Sequence, residues 1–383
     1  MDPVQILPAE IFEIVFDFLT PKDALNCFYI SSSWKQTIES SRKCMEKLTL
    51  KLSGRWMANY SSDDKDKLLR TKKFSNVIIF DGSEILPFVQ SIMSATHHWK
   101  SVSIYCTEFE TSSEFVEFIK SFEQTVESLV LHRVNIRKYE TNEMRFGFQK
   151  LKTLSLASCG TQISSAVLKD NQSLKVLTLG NFNPKTNLEV ILESMKECRN
   201  LNKLCTSPKF FSILFQSQDN GLNVHLQSLD IASDMYFSDV ITFRFFYLAQ
   251  QNFHKFLLTQ VSTLKTLNLA GIFGVEIVRL AFKMEKLEKL SIPNLSMFSW
   301  PTLNFVINNS IKNLDISTID IRNKELVKVF FKCVPNLQTL RIQNMDKTVA
   351  KQMRRKLRRL ENVSVTHFYD CSVQDILPNV LWN

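Results

Sequence analysis

Glycine is scarce, with only 8 in 383 residues. The chain holds no G-x-G-x-x-G, no G-x-x-x-x-G-K and no G-x-S-x-G. The loops that cradle phosphates and the turn that presents a nucleophilic serine therefore lack their usual sequence. The eight cysteines (Cys27, Cys44, Cys106, Cys159, Cys198, Cys205, Cys333 and Cys371) never form C-x-x-C and never stand near a histidine at metal-ligand spacing. The six histidines are scattered, and no Ser-His-Asp or Cys-His set follows from their spacing. No stretch approaches 18 apolar residues, residues 1–30 hold no apolar signal core, and the terminal Leu381-Trp382-Asn383 is no prenylation motif. The expectation is a chain with no catalytic centre, metal, cofactor or membrane segment. Its thiols are expected to be unpaired in a reducing compartment, cytoplasmic or nuclear, with the N-x-S sequons unused.

What is present begins with excess apolar surface on a short helix. In Glu10-Ile11-Phe12-Glu13-Ile14-Val15-Phe16-Asp17-Phe18-Leu19 the acids at 10, 13 and 17 form one stripe at helical spacing, and apolar residues cover the rest. A helix apolar over most of its circumference is buried on two sides. About 35 residues can cover only one of them, so the other side needs a partner. Pro8 suits the helix entry. Thr20 and Asp23 are placed to cap a second helix with Pro21 at its first position and Ala24, Leu25, Cys27, Phe28 and Ile30 along it. Ser31-Ser32-Ser33-Trp34 opens a third helix ending near Ser40.

These anchors stand in a recognisable order: Leu7-Pro8-x-Glu10-Ile11, Val15-Phe16-x-x-Leu19, Pro21-x-Asp23-x-Leu25, then Ile30-x-x-x-Trp34. The segment resembles an F-box, departing from it in the three serines before Trp34. The resemblance implies a domain over residues 4–42 that binds a Skp-type adaptor, and through it a cullin–RING ubiquitin ligase. It implies contact through Leu7, Pro8, Ile11, Phe12, Val15, Phe16, Leu19, Pro21, Leu25 and Trp34. The other reading is a helical cap on a larger domain, with Leu25, Ile30 and Trp34 closing the small trio in either case.

From residue 45 to the end the pattern L-x-x-L-x-L recurs. Copies start at Met45, Phe74, Trp99, Val126, Leu151, Leu174, Leu201, Leu226, Leu264, Leu287, Ile311, Leu337 and Leu360. That period is the leucine-rich repeat signature. Alternation puts one set of side chains inside, and stacked strands share one core. The fold class expected is α/β: a leucine-rich repeat solenoid of about 13 repeats over 45–383. It is a horseshoe with parallel strands on its concave face and helices on its convex face. The weakest copy is Leu201-x-x-Leu204, where Cys205-Thr206 breaks the alternation. Helices are expected at Asn187–Met195 and Asn323–Phe331, each with a capping Asn. Ser158-Cys159-Gly160 is similar to the Cys-containing repeat subtype of many F-box proteins.

The concave face is the default binding surface of such an array. Its outward third, fifth and seventh positions include Tyr105, His132, Ser155, Thr178, Asp230, Asn268, Asp315 and Arg341. They form a mostly small, polar face without an aromatic or arginine cluster, open to a protein surface or merely solvated. One interval is 38 residues long and contains an aromatic insertion near 233–263, read equally as a binding-side loop or as a longer outer helix. The net charge is +9, of which Lys351, Arg354, Arg355, Lys356, Arg358 and Arg359 supply +6. That run is a solvated helix face or a surface for an anionic partner. Basic and aromatic residues do not interleave there, so nucleic acid ranks low.

Together these readings make the chain a non-catalytic substrate receptor of a Skp–cullin–F-box ligase, presenting an unidentified protein for ubiquitination and proteasomal degradation. The alternative is a plain leucine-rich repeat interaction scaffold.

Overall fold

The structure, a computed structural model, describes residues 3–19, 23, 26–27, 30–41, 44, 48–54, 74–95, 99–140, 144–180, 187–206, 210, 214–215, 224–231, 241–269, 275–292, 306–316, 332–343 and 362–366. The expectations for Pro21, Leu25, the helices at 323–331 and 351–359, and the insertion residues 233–240 fall outside them. The chain forms two compact units, Met1–Asn200 and Leu201–Asn383.

The first unit opens with helices α1 (Pro3–Ile6), α2 (Ala9–Asp17) and α3 (Ser32–Ser40). The strands β1 (Thr49–Ser53), β2 (Asn76–Phe80), β3 (Ser101–Tyr105), β4 (Glu108–Thr111), β5 (Ser128–His132), β6 (Asn135–Lys138), β7 (Thr153–Ala157) and β8 (Val176–Leu179) follow. Between them lie α4 (Leu86–Ala95), α5 (Ser112–Lys120) and α6 (Thr161–Leu168), and after β8 comes α7 (Leu188–Met195). The main sheet runs β1-β2-β3-β5-β7-β8, all parallel, and β4 pairs with β6 in a small second sheet. Parallel neighbours need a crossover, and the segments carrying the helices provide it.

The second unit holds β9 (Lys203–Thr206), β10 (Ser228–Ile231), β11 (Thr266–Leu269), β12 (Lys289–Ile292), β13 (Asn313–Ile316), β14 (Thr339–Gln343) and β15 (Asn362–Thr366), parallel and in chain order. Its described helices are α8 (Ile241–Gln260) and α9 (Val275–Phe282).

Register explains why these strands form. Val102, Leu129, Leu154 and Leu177 are paired across β3, β5, β7 and β8, and all are fully buried. Leu204, Leu229, Leu267 and Leu290 do the same in the second unit. Burying each such side chain contributes about 1.5–3 kcal/mol, which a lone strand cannot collect on both sides. The weak copy at Leu201 still forms β9, because Leu204 is buried and Cys205 and Thr206 are buried with it.

The first copy needs a correction. Leu50 pairs with Val77 and Leu52 with Ile79, which places its start at Lys47 rather than Met45. A two-residue slip leaves every side chain on its expected face, so alternation alone cannot detect it. Gly54 agrees with the corrected register: a Cβ there would lie 2.6 Å from the Asp81 carbonyl oxygen.

A turn repeats at the end of four strands of the first unit. Asp81, Cys106, Arg133 and Ser158 all have left-handed backbones, with φ between 48° and 55°. The first three donate their N–H to the next strand, to the carbonyls of Tyr105 (3.1 Å), His132 (2.8 Å) and Ala157 (2.9 Å). A left-handed non-glycine residue costs about 1–2 kcal/mol. This repeated interstrand bond offsets that cost. Cys159, one residue on, is fully buried, and its thiol donates to the Leu131 carbonyl at 3.3 Å. Burial pushes that thiol up to about 11, so it remains a neutral donor.

Candidate functional site

The helical head is built around two phenylalanines. On α2, Phe12 and Phe16 point inward into a cluster with Val4, Ile38, Cys44 and Leu48, against which Leu19, Cys27, Trp34 and Phe74 also pack. Trp34 meets Phe12 edge-on at 5.4 Å. The serines before Trp34 have a local reason: Ser31 caps α3 by accepting the Trp34 N–H at 3.2 Å. Ser41, just past the end of α3, donates to the Glu13 carboxylate and accepts the Cys44 N–H, tying the acidic stripe of α2 to its neighbour.

The other face of α2 is uncovered. Phe18 is 85% exposed, and Ile11, Ile14 and Val15 are 44–50% exposed. Ile6 and Leu7 continue the patch before the helix. The expected contact set divides accordingly. Leu7, Pro8, Ile11 and Val15 face solvent, whereas Phe12 and Phe16 are 3% and 1% exposed and belong to the head's own core. The two rings anchor the head's core, so the exposed part of the expected set is Leu7, Pro8, Ile11 and Val15. Trp34 and Leu19 are also occupied in packing. Ile30, expected inside, is 60% exposed. Ile14 and Phe18 were legible in the helical pattern but absent from the contact set.

In the first unit, Ser155 and Thr178 stand half-exposed and paired across β7 and β8. Tyr105 and His132 belong to a ring ladder that includes Phe80, which sequence reasoning missed. Phe80 stacks on Tyr105 at 4.9 Å, and His132 meets Tyr105 edge-on at 5.8 Å. Phe80 occupies the seventh position of its copy, the same position as Tyr105 and His132, and that was the available signal. The enclosed Tyr105 is 4% exposed, so its ring is a packing element rather than a free contact. Burial raises the Tyr105 hydroxyl and lowers the His132 imidazole, the latter helped by Arg133.

In the second unit, Asp230, Asn268, Ser291, Asp315 and Arg341 are aligned across β10 to β14 by the register. Asn268 donates to the Asp230 carboxylate at 2.7 Å. Burial raises both carboxyls. Asn268, Lys203 and Lys289 oppose the rise at Asp230, and Arg341 and Lys289 oppose it at Asp315. Cys205 lies beside Asp230 in the register, and burial with that carboxylate pushes its thiol up to about 12.

The described portion of the aromatic insertion forms a helix, α8. Within α8, Phe253 and Leu257 are fully buried and Phe256 is 5% exposed. Phe215 packs on Phe253 and Phe256 at 5.2 and 5.1 Å, and its carbonyl accepts the Asn252 amide. Among the described residues, no helix is long and apolar enough to cross a membrane, and no three His, Cys, Asp or Glu side chains cluster as metal ligands.

No family model matches the chain, and no curated protein matches it. Among solved structures it is similar to one described as the crystal structure of a TLR13–ssRNA13 complex. The likeness is 14% in identity with a TM-score of 0.37, over 79% of this chain and 48% of that one. This chain thus spans about half the length of the matched protein.

Proposed function

We propose that this chain is a non-catalytic substrate receptor of a Skp–cullin–F-box ubiquitin ligase. An F-box-like head holds the adaptor, and a leucine-rich repeat solenoid binds the protein to be modified. The observation that carries the reading is the two-sided α2: Phe12 and Phe16 close the head's core while Ile11, Ile14, Val15 and Phe18 are left in solvent. Each such side chain favours burial by about 1.5–3 kcal/mol, and a contiguous group of them marks an interaction site. The ordered Leu7-Pro8 to Trp34 anchors, which resemble an F-box, support a Skp-type adaptor as the partner. The chain contributes proximity to the reaction, raising the effective concentration of a target lysine near a charged ubiquitin carrier.

The test is capture of a purified Skp-type adaptor by the intact chain and by an Ile11→Ser/Val15→Ser variant. Both residues are exposed, so the variant keeps its fold, checked by circular dichroism, and loses the adaptor. No capture by the unsubstituted chain, or equal capture by the variant, overturns the reading.

A second reading has its own observation. Leu48 and Phe74 pack against the helical cluster, so the head also covers the start of the sheet, as a cap in an interaction scaffold does. Deleting residues 1–40 uncovers Leu48 and Phe74 under either reading. The point variants discriminate, because a pure cap loses no partner when Ile11 and Val15 become polar.

A further inference from the structure

The sheet face of the second unit carries the same charged diagonal twice. Lys203 on β9 pairs in register with Ser228, and Asp230 stands two residues further along β10. Lys289 on β12 pairs with Asn313, and Asp315 stands two residues further along β13. Asn268 and Ser291 fill the aligned positions between the two carboxylates, both small and neutral. The side chains of Lys203, Lys289 and Arg341 are exposed and those of Asp230 and Asp315 half-buried. Among the described residues, no ion pair engages any of the five and no hydrogen bond reaches Asp315. The first unit differs: on β3, β5, β7 and β8 the outward positions are Ser, Thr, Val, Tyr, His and Ala, without a carboxylate, lysine or arginine.

Asp230 holds one amide bond from Asn268, and both carboxylates lie within the field of Lys289. Half-buried carboxylates that no ion pair engages are poor stabilisers of a fold and leave acceptor oxygens for an incoming cation. Their spacing specifies the partner. Three strand separations of about 4.8 Å put Asp230 and Asp315 about 14 Å apart. An extended chain advances about 3.4 Å per residue, so side chains i and i+4 lie on one face at that separation. We propose that this face docks an extended substrate segment of the pattern basic-x-small-x-basic, its two cations on Asp230 and Asp315 and its small middle residue over Asn268 and Ser291. Lys203, Lys289 and Arg341 surround the two sites and reject a continuous basic run. The raised carboxyls agree with this assignment, since a bound cation recovers what burial costs them. This deepens the receptor reading and rests on it for calling the segment a substrate's.

The test uses the intact chain and a fluorescein-labelled Arg-x-Ser-x-Arg peptide with glycine elsewhere, titrated to millimolar concentration by anisotropy. The isomer with adjacent arginines and the Glu-x-Ser-x-Glu peptide are controls. The spaced peptide is expected to bind at least about fivefold more tightly than either control, and Asp230→Asn and Asp315→Asn each to weaken it about fivefold with circular dichroism unchanged. Equal binding of spaced and adjacent isomers, or unchanged binding by the double Asn variant, overturns the proposal. Adaptor capture through Ile11 and Val15 is measured separately, so either result stands without the other.

Discussion

Among the described histidines, His132 has its protonation opposed by the fold. Its ring closes the Phe80–Tyr105 ladder, half-buried, with Arg133 beside it, and both burial and that charge favour the neutral imidazole. The folded chain therefore binds this proton less readily than the unfolded chain, where histidine titrates near 6.5. Stability from this site is complete above that value and is lost as pH falls through it toward the lowered folded value. Asp230 and Asp315 work in the opposite sense, since their raised carboxyls take up protons before those of the unfolded chain. A His132→Phe variant isolates the first effect while keeping a ring against Tyr105. Its melting temperature should gain on that of the unsubstituted chain as pH is lowered from 7 to 5. A constant difference across that range shows that His132 does not titrate on unfolding. The shared seventh position of three motif copies was the sequence signal for the ladder, but ring contact and this sensitivity were not legible, since Phe80, Tyr105 and His132 stand about 25 residues apart and the register brings them together.

Elements were legible to the extent that each carries its own pattern. Leu154 and Leu156 are both buried on β7, and in the imperfect Leu201 copy Leu204 is buried with Cys205 and Thr206, so a strand emerges from either copy. Asn187 was visible as a cap, and it accepts the Glu189 N–H at 3.1 Å. What ties one repeat to the next was not visible, because those bonds join side chains to distant backbone. Asn308 is the clearest instance. It is 4% exposed, donates to the carbonyls of Phe282 and Met284, and accepts the N–H groups of Ser310 and Ile311. Gln260 makes comparable bonds nearer the start of the second unit, donating to the Val224 carbonyl and accepting the Leu226 N–H. Removing such a group leaves buried backbone unpaired at about 1–3 kcal/mol for each unsatisfied partner. Asn308→Ala should therefore cost about 2 kcal/mol or more in chemical denaturation. Asn336→Ala, whose exposed amide reaches the Asn309 carbonyl and no other group among the described residues, should cost much less. Equal costs would show that the Asn308 bonds do not hold adjacent repeats together.

For the whole molecule the proposed reading requires two binding activities that do not depend on each other. The exposed face of α2 belongs to the first unit and the Asp230–Asp315 face to the second. The side chains of one are not those of the other. A proximity device has no need of coupling: it must hold two partners at once, not pass a signal between them. The measurement is a double-mutant cycle on the intact chain. The Ile11→Ser/Val15→Ser change should abolish adaptor capture and leave affinity for the spaced arginine peptide unchanged. Asp315→Asn should weaken the peptide and leave adaptor capture unchanged. In the combined variant the peptide affinity should match that of Asp315→Asn alone to within about 0.5 kcal/mol, the range found for independent sites. Loss of peptide binding in the α2 variant would instead mean that the head supports the repeats, as a cap does, and would favour the scaffold reading over the receptor. The packing of Leu48 and Phe74 on the helical cluster makes that outcome physically available, so the cycle decides between the two readings with folded protein throughout.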